Sequence, residues 1–238
     1  MIYKFQKTTP VVGYVTLERK CFKDKEYFSP DSYIYLILKK IKIWYGFSKY
    51  SEINKNTKII LGIQCTYLNI KTNEIKTLEP HCGDISGDDI EIEEIEIKNG
   101  DHFKKVYINF DKNINYLKFV TKNQKCIKFG EEQEYSHHSY YDFNNDNKIQ
   151  IIQTFFGYYN DYGLTALGFN YISKEDLFII SFEGIFRLKH ILKNKDKEKN
   201  WNNPEISKKL SIEMQAILKL CFQRDDIFLR IIKYNLPF

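Results

Sequence analysis

Apolar and polar positions alternate with a period of two through much of the chain up to about residue 182, the mark of strands with one buried face. In KKIKIWY, Ile41 and Ile43 fall on one side while Lys40 and Lys42 fall on the other, within a strand expected over 33–47. Residues 59–78 read as a hairpin with a polar turn at Lys71 to Asn73. From Ile90 to Phe110, Ile90, Ile92, Ile95 and Ile97 are separated mainly by glutamates as far as Asn99-Gly100, a dipeptide that turns at little cost. The change of phase between Ile92 and Ile95 predicts a bulge, and Glu91, Glu93, Glu94 and Glu96 read as one solvated face rather than an acid/base pair. Further strands are expected over 114–122, 125–130, 148–159, 163–172 and 176–182, with a long polar loop at 130–148. In FFGYYNDYGLTALGF, two of these strands meet at a tight turn holding Asn160 and Asp161. Short strands with turn signals between them and no helical period predict a mainly β sandwich, barrel or prism.

Beyond Phe182 the pattern changes. Residues 187–203 are charge-rich and read as a solvated linker. Asn203, Pro204 and Glu205 then form a helix start: a cap, a proline at the first helical position and an acid in the first turn. Apolar residues recur at helical spacing after it, and Ile206, Leu210, Ile217, Phe222 and Phe228 compose a face that must be covered, by the chain itself or by a partner. The organisation expected is a β domain over 1–183, a charged linker over 184–203 and an α-helical extension over 204–238.

Composition limits what such a chain does. Its 238 residues include 18 Tyr and 18 Phe, which suit pleated surfaces and exclude a disordered chain. The net charge of +5 arises from 36 basic and 31 acidic residues that are interleaved, so no nucleic-acid footprint is expected. Five widely spaced cysteines without a C-x-x-C pair suggest neither a disulfide framework nor a zinc knuckle. No signal-like h-region and no run of about 20 apolar residues occurs, which leads to an expectation of an intracellular, cytoplasmic protein without a membrane span. Candidate chemistry is sparse. His137 and His138 with Glu134, or His81 with Asp84, have ligand-type side chains but only adjacency in sequence, and Cys82 beside His81 points the opposite way on a strand. No phosphate-cradling glycine motif is present, so no metal, cofactor or enzymatic activity is expected.

The order of several phrases resembles the jacalin-related lectins over about residues 28–182. They are YFSPDSYIYLILKKIKIWYG, IILGIQCTY, HCGDISG, IEIKNGDHFKKVYINFDKNINYLKFVTKNQKCIKFG and IIQTFFGYYNDYGLTALGF. The resemblance implies a β-prism of three antiparallel sheets. It also implies a sugar cup built from the closing turn, an aspartate just before A-I-G, and an N-terminal glycine-rich loop. Aligning Ala166-Leu167-Gly168 with A-I-G puts Thr165 where that aspartate belongs, and VTLERKCFKDKEYF contains no glycine. A hydroxyl cannot replace a two-oxygen, charge-assisted acceptor.

Two functions follow as expectations. One is a non-enzymatic structural or protein-interaction subunit of a larger intracellular assembly, of cytoskeletal or ciliary kind, which has lost sugar binding and docks protein partners through its tail. The other is a carbohydrate-binding lectin with an atypical site, for which Gly157, Tyr158, Asn160, Asp161 and Thr165 are the candidate contacts.

Overall fold

A computed structural model describes residues 6–15, 19–47, 57–87, 89–98, 101–144, 149–174, 176 and 177. In chain order the strands are β1 (Lys7–Thr8), β2 (Val12–Gly13), β3 (Lys20–Lys23), β4 (Leu36–Phe47), β5 (Lys58–Asn69), β6 (Glu74–Thr77) and β7 (His81–Cys82). There follow β8 (Ile90–Glu96), β9 (Phe103–Phe110), β10 (Ile114–Thr121), β11 (Cys126–Gly130), β12 (His137–Asp142), β13 (Gln150–Asn160) and β14 (Gly163–Ser173). They form three antiparallel sheets, ordered β1-β14-β13-β3 with β2 also on β14, β6-β5-β4-β8 with β7 also on β5, and β11-β10-β9-β12. This is the prism expected from the sequence; the expected tail, linker and Asn99-Gly100 turn lie outside the described residues.

One core serves all three sheets. Ile41, Ile43, Ile60 and Tyr67 of the second sheet meet Val106, Leu117 and Phe119 of the third and Phe155, Leu167 and Phe169 of the first. Burying each such side chain contributes about 1.5–3 kcal/mol, and strand alternation delivers one from every second residue. The hairpin at 59–78 is β5 and β6, closed by Asn69, whose Oδ1 accepts from Lys71 N at 2.9 Å and Thr72 N at 3.2 Å.

Four local readings are corrected. The bulge expected between Ile92 and Ile95 is absent, since β8 runs in unbroken register along β4. Instead β8 packs an isoleucine on each face: Ile90 lies against Trp44, Ile59 and Leu61 in a small outer cluster, while Ile95 enters the main core. The glutamates therefore divide too. The Tyr45 hydroxyl lies 2.6 Å from Glu91 Oε2 and 2.7 Å from Glu93 Oε1, its one proton shared between them, whereas Glu94 pairs with Lys40 and Lys42. The polar stretch at 130–148 is no plain loop, because β12 pairs with β9 within it through His137 to Asp142. Asp176 and Leu177 are helical rather than extended, and Ser173 Oγ accepts from Asp176 N at 3.0 Å as a helix cap would.

Candidate functional site

The tip begins with the turn between β13 and β14. Asn160 Oδ1 accepts from Tyr162 N at 3.0 Å and Gly163 N at 3.1 Å, the local bond that lets an Asn-x-x-Gly sequence reverse the chain. Gly163 has φ +147, and a Cβ there would stand 2.6 Å from Ile60 O, so only glycine closes this turn against the second sheet. Asp161 is left on the crest with its side chain 83% exposed.

Facing it is the segment that leaves β7. Gly83 N donates to Leu61 O at 3.0 Å and Asp84 N donates to Asp161 O at 2.9 Å, which ties this segment to the turn. A Cβ on Gly83 would lie 2.6 Å from Gly163 N and 2.7 Å from the carbonyl oxygens of Asn160 and Asp161, so the close approach depends on the missing side chain. Lys20, at the start of β3, brings its Nζ to 3.5 Å from Asp161 Oδ1. Lys20, Cys82, Gly83, Asp84, Asp161 and Tyr162 line an open cup of about 500 Å³. Two carboxylates and one ammonium offer acceptors and a donor to a polyhydroxylated ligand.

A buried polar network anchors the cup from beneath. His81 Nε2 is 2.7 Å from Asp24 Oδ1, Tyr67 donates to Asp24 Oδ2, and the imidazole stacks on Phe22 with centroids 4.2 Å apart. Burial, then the charge of Asp24, raises the Tyr67 phenol and Cys65 thiol well above their ordinary ranges. Adjacent residues on β7 face apart, as expected, so His81 is buried while Cys82 lines the cup. Desolvation raises the Cys82 thiol against the opposing pull of Lys20, which keeps it a weak nucleophile. Among the described residues no group of three His, Cys, Asp or Glu side chains converges as a metal site would require. Nor is any helix among them long and apolar enough to cross a membrane.

The model of the jacalin-like lectin domain matches residues 31–170. The chain belongs to the jacalin-like lectin family. No curated protein sequence is significantly similar to it. Among solved structures, its jacalin-like fold matches artocarpin complexed with methyl-α-mannose at 14% identity and TM-score 0.51, covering 71% of this chain and 99% of that one. A mannose-specific jacalin-related lectin from Morus nigra in complex with mannose matches at 14% identity and TM-score 0.51, covering 71% of this chain and 96% of that one. Single-chain recombinant jacalin matches at 14% identity and TM-score 0.50, with 70% and 94% covered.

Of the five candidate contacts, this jacalin-like domain brings Asn160 and Asp161 to the tip, and only Asp161 lines the cup. Gly157 lies lower on β13, where a Cβ would be 2.1 Å from Ala166 O, and Tyr158 pairs with Cys21 and Ala166. Thr165 is fully buried; its hydroxyl donates to Tyr158 O at 3.1 Å and its carbonyl accepts from Tyr14 N at 3.0 Å. Lys20, Cys82, Gly83 and Asp84 escaped the sequence reading of the site. HCGDISG carried the one available signal, a glycine beside an acid in a phrase already matched to the family.

Proposed function

We propose that this domain is a lectin with an atypical site, in which Asp161 and Asp84 accept hydrogen bonds from sugar hydroxyls and Lys20 donates one. The observation that carries this reading is the cup itself: two acidic residues on separate segments, Asp84 and Asp161, line it where Asp84 N donates to Asp161 O at 2.9 Å beside the close approach of Gly83. Its volume of about 500 Å³ lies in the range of small-ligand sites and accommodates a hexose with its first linkage. Mannose and methyl-α-mannose, the sugars in the two structures described above, are the first ligands to try. Acid chemistry has moved from position 165 to the turn crest, where the carboxylate stays in water and needs no buried partner.

A second reading has its own support. The amides of Tyr162, Gly163 and Asp84 are already engaged within the protein, so they are not available to a sugar. That favours a non-enzymatic protein-interaction subunit of an intracellular assembly, using the prism as a rigid block and the 204–238 segment as its docking arm. A glycan array separates the two. Specific binding that disappears with Asp161→Asn and persists with Thr165→Val supports the lectin; silence of the array with a folded protein supports the interaction subunit.

A further inference from the structure

The outer face of the third sheet carries a second cavity, remote in sequence from the tip cup. Successive outward positions on β9, β10 and β12 place Tyr107, Asn109, Tyr116, His138 and Tyr140 side by side, because Asn109 registers with both Tyr116 and His138, and Tyr107 with Tyr140. Together with Glu132 and Ser139 they line a hollow of about 270 Å³. Strand alternation alone would make this face polar.

We infer that this hollow is a saccharide subsite separate from the tip. Tyr107 and Tyr140 stack with centroids 5.9 Å apart at 27°, and Tyr140 remains 62% exposed, so its ring stays open to the C–H face of a pyranose. Deeper in, Tyr116 is 6% exposed and Asn109 1% exposed. Asn109 donates through Nδ2 to Gln133 O at 3.1 Å, while no protein donor reaches its Oδ1. A buried carbonyl without a donor is costly, and ligand hydroxyls supply donors. Glu132 adds an acceptor at the rim, and its charge, after burial, raises the Tyr116 phenol, which keeps that hydroxyl a donor.

Glu132 and Lys118 put opposite charges at this face, a balance that suits a neutral ligand. Lys118 Nζ already lies 4.9 Å from the Tyr107 ring centroid, so an ammonium ligand would meet a like charge there. The volume is at the small end for ligand sites, which suits one sugar ring rather than an oligosaccharide.

The test uses the full chain on a glycan array, followed by saturation-transfer NMR with methyl-α-mannoside and methyl-β-galactoside as probes. Tyr140→Ala removes the exposed ring, whereas Asp161→Asn disables the tip alone. The subsite predicts at least a tenfold loss of one class of array signals in Tyr140→Ala, with those signals intact in Asp161→Asn and thermal unfolding of both variants within a few degrees of the parent. Signals lost in Asp161→Asn but unchanged in Tyr140→Ala overturn the subsite and leave the tip reading standing. An array without signal overturns both.

Discussion

His81 Nε2 lies 2.7 Å from Asp24 Oδ1 in the interior of the domain, one residue before the Cys82-Gly83-Asp84 segment that forms one wall of the cup. The same carboxylate accepts from Tyr67, whose oxygen in turn receives Phe155 N at 3.3 Å. Three sequence-distant segments are thus joined by one buried acid. Removing one partner of such a pair strands the other without water. Asp24→Ala is expected to destabilise the domain by about 2–6 kcal/mol, about 1–3 for each of the His81 and Tyr67 groups it strands, read from urea unfolding midpoints. A double variant, Asp24→Leu with His81→Leu, is expected to recover part of that loss, and a cost below about 1 kcal/mol for the single variant would remove the network's structural role.

Gly83→Ala tests the close approach of the cup's two walls. A methyl group there must displace backbone at 2.6 Å and 2.7 Å rather than a yielding side chain. Overpacking of this kind costs about 1–3 kcal/mol, and sugar binding should fall at least tenfold. Calorimetry and array titration of the same preparation would report both, and full binding by a stable variant contradicts the geometry.

Asp161 and Thr165 should respond in opposite ways. The exposed ion pair of Asp161 with Lys20 adds little to folding, so Asp161→Asn is expected to shift stability by less than about 0.5 kcal/mol while abolishing binding at the tip. Thr165→Val deletes a buried hydroxyl bond and should cost about 1 kcal/mol with binding retained. The reverse pattern would return the site to position 165.

Stability should fall in mild acid through His102, which is 7% exposed. Burial, aided by Lys122 and Lys174, lowers its imidazole from 6.5 to about 4. Between those values the unfolded chain binds a proton that the native domain refuses, so stability present above pH 6.5 is lost progressively toward about pH 4. The loss is up to about 3 kcal/mol. His102→Gln should flatten this part of the pH profile measured by urea unfolding, and an unchanged slope would assign it to other groups.

Period-two alternation was enough to place Ile41, Ile43, Leu117 and Phe119 in the core, because each strand's inward side is written in its own residues. It failed at β8, where Ile92 and Ile95 lie on opposite faces that each also carry glutamates, and at β12, whose Tyr, Ser and His residues lie on an edge strand and show no apolar alternation. Family phrases located the closing turn and the loss of the acid at 165. They could not indicate that Thr165 is buried with its carbonyl bonded to Tyr14 N, since that contact spans more than a hundred residues.

By itself the sequence determined the class of fold, most of the longer strands and the turn that Asn160 and Gly163 close, for these depend on side-chain periodicity and local backbone preference. The tertiary structure alone decided that Asp84 meets Asp161 beside Gly83, that Asp24 meets His81, and that three tyrosines share one outer face. Those relationships are set by how the sheets curl together and which strands become neighbours, and no short stretch of chain encodes them.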